Sequence, residues 1–308
     1  MGSWWFARPE TWIIETAPKS MQIAGRFTSV DLDRLLKKIV CWLAEWIEKG
    51  SNQFIHHELY RHRLPRSIQD AYMSLSAYLC KTTSTEHMIF RIIEDRVTHL
   101  VAEGIPSTDS SQRGLFDALE YLARVQALLV YQCIGLYDGN IRLRHLAEQH
   151  IPLLEFWLAD LILKISQNPD CGHSLSTPPP TCQLSQMFPP ASHIPTEDVL
   201  WHNYIIAESV RRTWLVTAGF QGVYKLLHSG HATCMGGTFF TTRSGFWEAK
   251  SAMAWEKRCC EVYAGLLQLT HVDQMFASIP KDEICDFAKV VLECLYGPDQ
   301  LERWGVGV

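Results

Sequence analysis

The sequence predicts an all-α protein, a bundle of about eight or more helices with one proline-rich loop and at most a short hairpin. Apolar residues recur three and four positions apart along most of the 308 residues, which is the spacing of an amphipathic helix. Seven of the 14 prolines fall within residues 167–195, the one obvious internal loop or linker. Residues 235–246 form the only plausible strand or hairpin, and that segment is short.

The predicted helices follow from this spacing and from the residues at their ends. Ser29 is expected to cap the first helix and Gly50 to end it. Ser67 and Asp70 are expected to form a capping box at the start of the second helix. The eight predicted helices cover about 30–49, a stretch from 67 onward, 85–104, 115–136, a stretch from the turn at 138–140 to 165, 196–228, 249–268 and 282–296.

The arrangement of these helices favours one body. The fourth predicted helix is the most apolar, and a helix that is apolar nearly all round belongs at the centre of a fold. Pro152 lies inside the fifth predicted helix and is expected to kink or split it. Short connections among the first five helices favour a single helical domain over residues 1–308. The segment 167–195 is then an internal loop, although it could equally be a linker between two domains.

Composition and charge argue against several classes of protein. The formal net charge is −5 and no polybasic run occurs, which is not the electrostatic pattern of a nucleic-acid binder. None of the ten cysteines forms a C-x-x-C pair, which argues against a zinc ribbon or a DNA-reading zinc cluster. No apolar stretch is long enough to cross a membrane. We therefore expect a location in the nucleus or cytoplasm, no membrane association and no direct DNA binding by this chain.

No metal and no cofactor is expected. One histidine cluster has four potential ligands, but they lack the three- or four-residue spacing that places ligands on one face of a helix. These residues are His56, His57, Glu58 and His62. A surface or packing role is therefore favoured for them. The sequence also contains no phosphate-binding loop and no dinucleotide-binding fingerprint.

Polar residues inside the apolar helices are the most informative candidates for a site, because a buried charge is costly unless it is paired. Asp138 and Arg142 are four residues apart, as are Glu208 and Arg212, so each pair shares one helix face. Such residues either pair across helices to fix the packing or face a cavity that holds a polar ligand. A ligand cavity, if present, is expected between the fourth, fifth and sixth helices, lined by Arg124, Tyr131, Arg142, Trp157, Glu208, Arg212 and Trp214.

Two long segments resemble the C-terminal regulatory region of fungal zinc-cluster transcription factors. They are LARVQALLVYQCIGLYDGNIRLRHLAEQHIPLLEFW at 122–157 and AESVRRTWLVTAGFQGVYKLLHSGHATCMGGTFFTTRSGFWEAKSAMAWEKRCCE at 207–261. A third stretch resembles a loop of the same region, and it contains Phe54, Ile55 and His56, followed by Leu64 and Pro65. The likeness covers most of the chain from about 54 to 260 and consists of core residues rather than catalytic signatures.

The resemblance implies a large helical body that modulates transcriptional activation and, in some members, senses small molecules. For this chain it implies a regulator of a fungal secondary-metabolite gene cluster that binds a small molecule, a protein partner or a second copy of itself. The family's Zn2Cys6 domain and basic linker are missing from this sequence, so direct DNA binding is not implied. The alternative is a cofactor-independent biosynthetic enzyme of the cyclase, isomerase or pericyclase type, recruited from the same scaffold, which would need only shape, aromatic walls and hydrogen-bond donors.

Overall fold

Helices make up most of the described chain, and the all-α prediction is confirmed. The computed structural model describes residues 4–15, 29–104, 117–167, 196–231, 236–268 and 272–306. The predicted loop at 167–195 lies outside these residues, apart from its first residue. The α-helices are α1 (Ser29–Lys49), α2 (Arg66–Leu79), α3 (Glu86–Glu103), α4 (Ala118–Tyr137), α5 (Ile141–Gln149), α6 (Ile151–Gln167), α7 (Thr196–Ser229), α8 (Ala252–Glu261), α9 (Val272–Ser278), α10 (Asp286–Tyr296) and α11 (Pro298–Trp304). Two short strands, β1 (Phe240–Thr241) and β2 (Leu266–Leu267), and 3-10 helices at Pro9–Trp12 and Lys281–Glu283 complete the described elements.

Several helix ends follow from the local sequence. Gly50 and Gly104 follow α1 and α3 with φ angles of 72° and 62°, which glycine adopts without a steric penalty. The Asp117 carboxylate caps α4 by accepting the backbone N–H of Glu120 at 3.1 Å. Pro152 is the second residue of α6, where the missing N–H is tolerated. The predicted fifth helix therefore splits into α5 and α6 at this proline.

The capping box predicted for α2 is wrong. The helix begins at Arg66 directly after Pro65, and no side chain caps its start. The fixed φ of Pro65 suits the entry to a helix, so α2 starts one residue before Ser67. The Asp70 carboxylate instead lies 3.5 Å from the guanidinium of Arg96 on α3.

The C-terminal third of the chain departs most from the predicted elements. β1 forms an antiparallel pair with β2, with Phe240 opposite Leu267, rather than a local hairpin within 235–246. β2 lies where the sequence predicts a helix, because α8 is followed by extended backbone at Val262 and by Gly265 with a φ of 66°. The helices α9 and α11 escape prediction because seven residues contain too little periodicity.

The helix α4 is the centre of the bundle, as its apolar sequence predicts. Nearly all of its residues from 118 to 136 are buried, and it contacts α2, α3, α5, α6 and α7. The second central helix is α7, which contacts α1, α4, α6, α8 and β1. Among the described helices, none combines the length and the apolar character needed to span a bilayer.

Gly135 allows α4 to approach α5 closely. A Cβ atom at this position would lie 2.8 Å from the Cβ of Ala147 and 2.8 Å from the carbonyl oxygen of Leu143. We expect Gly135→Ala to lower the free energy of unfolding by about 1–2 kcal/mol, because the two helices must move apart. Urea denaturation can compare it with Gly222→Ala on α7, whose Cβ would meet nothing within 4 Å and which is expected to be neutral or stabilising. Equal stabilities of the two variants would contradict this interpretation.

Candidate functional site

Two of the seven predicted site residues are joined directly. Glu208 and Arg212 lie one turn apart on α7, both fully buried, and form an ion pair with 2.8 Å between Oε1 and Nε. Burial, the largest single influence, acts to lower the pKa of Arg212, but the Glu208 carboxylate and weaker charge interactions together raise that pKa above its ordinary value. These two residues therefore pair within one helix.

This buried pair connects α7 to three other segments. Glu208 accepts hydrogen bonds from the backbone N–H of Thr241 at 3.0 Å and from its hydroxyl at 3.1 Å. The Nη1 atom of Arg212 donates to the carbonyl oxygen of Gln53 at 3.1 Å. The guanidinium also lies over the ring of Trp247, 4.3 Å from its centroid. The pair thus holds β1, the loop before α2 and the loop after β1 around α7.

Arg124 and Arg142 pair with residues of α3 instead. Arg124 lies 3.1 Å from a carboxylate oxygen of Glu103. The side chain of Arg142 is 82% exposed and lies 3.1 Å from Glu94. Asp138 and Arg142 do not pair with each other, and Asp138 accepts hydrogen bonds at the C-terminal end of α2.

Tyr131, Trp157 and Trp214 are all buried in the hydrophobic core. The indole N–H of Trp214 donates to the carbonyl oxygen of Gly236 at 2.9 Å. Among the described residues, no hydrogen bond, ion pair or ring contact joins these three aromatic residues, or the two arginines on the α3 side, to the Glu208–Arg212 pair. Of the seven predicted residues, these contacts therefore bring only that pair together.

Two small cavities lie beside the helices of the predicted site. One, of about 20 Å³, is lined by residues of α6, α7 and the N-terminal segment, including Trp12 and Asn203. The other, of about 10 Å³, is lined from α3, α4 and α5 and includes Tyr131, Gln132 and His150. A cavity of this size holds roughly one water molecule. Each is bordered by buried polar atoms with no hydrogen-bond partner among the described residues, so each suits water better than an organic ligand.

Buried amide side chains join α4 to α7. The Nε2 atom of Gln126 donates to the hydroxyl of Thr213 at 3.1 Å, and its Oε1 accepts from the hydroxyl of Tyr60 at 2.6 Å. One turn and a half further along α4, Gln132 accepts from the side-chain amide of Gln221 at 2.8 Å. Buried hydrogen bonds between side chains on two helices specify how those helices pack. The polar residues of α4 therefore have a packing role in the structure.

His56 has the packing role favoured for its cluster. Its Nε2–H donates to the carbonyl oxygen of Trp247 at 2.9 Å, and its Nδ1 accepts the backbone N–H of Glu58 at 3.1 Å. The ring also packs edge-on against Trp201 and Trp247. Burial lowers the pKa of His56 to about 3, so the ring is neutral. Among the described residues, no group of three or more potential ligands is arranged to hold a metal ion.

Arg211 is a buried charge that the sequence reasoning missed. It is fully buried on α7, and its Nη2 atom donates to the carbonyl oxygen of Phe6 at 2.6 Å and to the hydroxyl of Thr11 at 2.8 Å. Burial lowers the pKa of Arg211 to about 10. Its partners lie 200 or more residues earlier, so local spacing does not indicate them. The sequence did contain one indication that Arg211 is buried. Apolar residues occur on every side of α7, so charged residues on this helix are expected in the interior.

One curated relative shares most of this chain. The chain is 29% identical over 259 residues to Transcription factor gsfR2 of Penicillium aethiopicum. The aligned region covers 83% of this chain and 57% of the relative, so the chain spans little more than half of that protein's length. No protein-family model matches the chain, and no solved structure matches it. The chain is therefore a homologue of a fungal transcription factor.

Proposed function

We propose that this chain is a regulatory domain of a fungal transcription regulator, active in the nucleus and controlling a secondary-metabolite gene cluster. The observation that carries the proposal is the 29% identity with a protein named as a transcription factor, over 83% of this chain. A relation that extends over most of the chain supports a regulatory role more directly than a single shared motif would. The gene cluster as the target rests on the resemblance alone.

The interior supports regulation through contact with another protein. The Glu208–Arg212 pair and the amides of α4 form their hydrogen bonds within the chain, which favours a packing role over catalysis. The two small cavities lined in part by Trp12 and by Tyr131 hold roughly one water molecule each. A partner protein or a second copy of the chain is therefore expected to bind on the surface of the bundle. The alternative is regulation by a bound small molecule, which a ligand screen would detect.

Disruption of the gene, followed by measurement of both transcripts and metabolites, tests this proposal. We expect the transcripts of the target cluster to change together with its products. Reintroduction of the wild-type chain should restore both, and so should Gly222→Ala, because an added Cβ there would meet nothing within 4 Å. Glu208→Ala should fail to restore them, because it disrupts the buried ion pair.

The alternative function predicts a different result. A cofactor-independent cyclase, isomerase or pericyclase would leave the transcripts unchanged when the gene is disrupted, while the precursor of its product accumulates. That combination would overturn the regulatory proposal, and a change in transcripts that precedes any change in metabolites would support it.

A further inference from the structure

Residues 4–15 form a short segment, the strap, that packs against the helical body. Phe6 and Trp12 are its buried anchors, with 2% and 4% of their surface exposed. Trp4 and Ile13 are half exposed on the same segment. The 3-10 helix within the strap contacts α6. The strap therefore alternates side chains that enter the body with side chains that face solvent.

An aromatic groove receives the first anchor of the strap. The ring of Phe6 packs edge-on against Tyr204 on α7 and Trp255 on α8, with centroid distances of 5.7 and 6.1 Å. The neighbouring Trp5 contacts Tyr204 and Phe246, with centroid distances of 5.8 and 6.3 Å. Aromatic pairs in these geometries add to the burial of apolar surface, so the groove matches aromatic side chains.

Arg211 lies at the centre of this contact. Besides its hydrogen bonds to Phe6 and Thr11, its guanidinium lies over the ring of Trp12, 4.1 Å from the centroid. These bonds go to neutral oxygen atoms, and among the described residues its Nε and Nη1 atoms have no hydrogen-bond partner. A buried charge without a carboxylate partner costs free energy, and departure of the strap would allow water to reach it. Burial of the aromatic rings therefore stabilises the docked strap, and the dehydrated charge of Arg211 destabilises it.

The far end of the strap is bound through its backbone. Glu15 and Gly237 exchange two backbone hydrogen bonds of 3.0 and 2.8 Å in an antiparallel bridge. Gly236 has a φ of 90°, and a Cβ there would lie 2.6 Å from a methyl carbon of Ile14, so glycine is needed for this close approach. Backbone pairing combined with pockets for separate side chains is how folded domains bind peptide segments.

We propose that the strap is a releasable peptide ligand carried by the chain itself, and that its groove is a binding site for peptides with two aromatic residues six positions apart. The groove is defined by Tyr204, Arg211, Phe246 and Trp255. Phe6 and Trp12 set the spacing that it recognises. This inference does not rest on the proposed function, because peptide binding can be measured whatever process the chain serves.

Titration of a fluorescently labelled peptide of sequence 4–15 with the intact chain tests the proposal. In the wild-type chain the strap occupies the groove at an effective concentration of roughly millimolar order, so the free peptide should bind weakly. The variant Phe6→Ala/Trp12→Ala weakens the strap and should bind the free peptide at least about tenfold more tightly. The matched control Trp4→Ala/Ile13→Ala changes the exposed side chains and should bind the peptide as weakly as the wild-type chain.

Two further experiments test which side chains the groove and the peptide use to recognise each other. A peptide carrying Trp12→Ala should lose about tenfold or more in affinity for the strap-weakened chain, and this result does not depend on the folding of a new protein variant. Adding Trp255→Leu to the strap-weakened chain should remove its gain in affinity, because it deletes the ring against which Phe6 packs. Circular dichroism establishes that each variant is folded. The proposal is overturned if the Phe6→Ala/Trp12→Ala chain unfolds, since the strap would then be part of the core, or if it is folded and binds the peptide no more tightly than the wild type.

Discussion

Glu208→Ala is expected to lower the free energy of unfolding by about 3–5 kcal/mol. The substitution leaves the fully buried guanidinium of Arg212 without its carboxylate, 2.8 Å away in the wild type. It also leaves the backbone N–H of Thr241 without its acceptor, which adds the cost of an unsatisfied buried donor. The effect is large because both partners are buried. At an exposed position, hydration would replace the lost charge interaction, whereas here no water can do so.

Urea denaturation can measure this loss against two matched variants. Glu155→Ala removes a carboxylate from a partly exposed pair with Lys225 on the outside of α7, and is expected to change the free energy of unfolding by at most about 1 kcal/mol. The double variant Glu208→Leu/Arg212→Met removes both buried charges and should be more stable than Glu208→Ala alone. If Glu208→Ala were as stable as Glu155→Ala, the buried pair would not have the structural role assigned to it.

The helical bundle and the buried pair could be predicted because both depend on local spacing. Residues four apart share a helix face, which is the geometry in which Glu208 and Arg212 pair. The same spacing is misleading for Asp138 and Arg142, because it does not show what lies opposite that face. In the structure the hydroxyl of Tyr78 donates to Asp138 at 2.9 Å, and Arg142 points outward.

Contacts between distant segments could not be predicted in this way. The acceptors for Arg211 come from the strap, which precedes it by 200 residues or more. The acceptor role of Glu208 toward Thr241 depends on a strand whose partner, β2, was expected to be helical. The periodicity of apolar residues shows which side of a helix is buried, but not which segment covers it. The local sequence pattern therefore predicts only part of the candidate site.

Acidification from about pH 7 to about pH 5 is expected to destabilise the fold through His56. In the folded protein its Nε2–H donates to the carbonyl oxygen of Trp247, and its Nδ1 accepts the backbone N–H of Glu58. A proton added to Nδ1 would face that N–H, so two donors would oppose each other inside the core. The neutral ring therefore satisfies the surrounding hydrogen-bonding groups and the charged ring does not.

The sign of the pH effect follows from proton binding in the two states. Burial, followed by the charges of His57, Arg212 and His202, lowers the pKa of His56 from 6.5 to about 3. The unfolded chain thus binds a proton below about pH 6.5 while the folded chain does not, so the contribution to stability is present above that pH and is lost toward pH 3. At about pH 5 the loss from His56 is about 2 kcal/mol. Burial also lowers the pKa of His202 to about 4, which acts in the same direction.

Urea denaturation at the two pH values separates this titration from a general loss of packing. His56→Gln keeps a polar side chain in the loop but cannot take up a proton, so it should reduce the difference in unfolding free energy between the two pH values by about 2 kcal/mol. Leu59→Ala, at a fully buried position in the same loop, should lower stability by a similar amount at both pH values, because it creates a cavity and changes no titrating group. If His56→Gln retained the whole wild-type pH dependence, the acid sensitivity would have to come from other groups, and the neutral, doubly bonded ring would not be the cause.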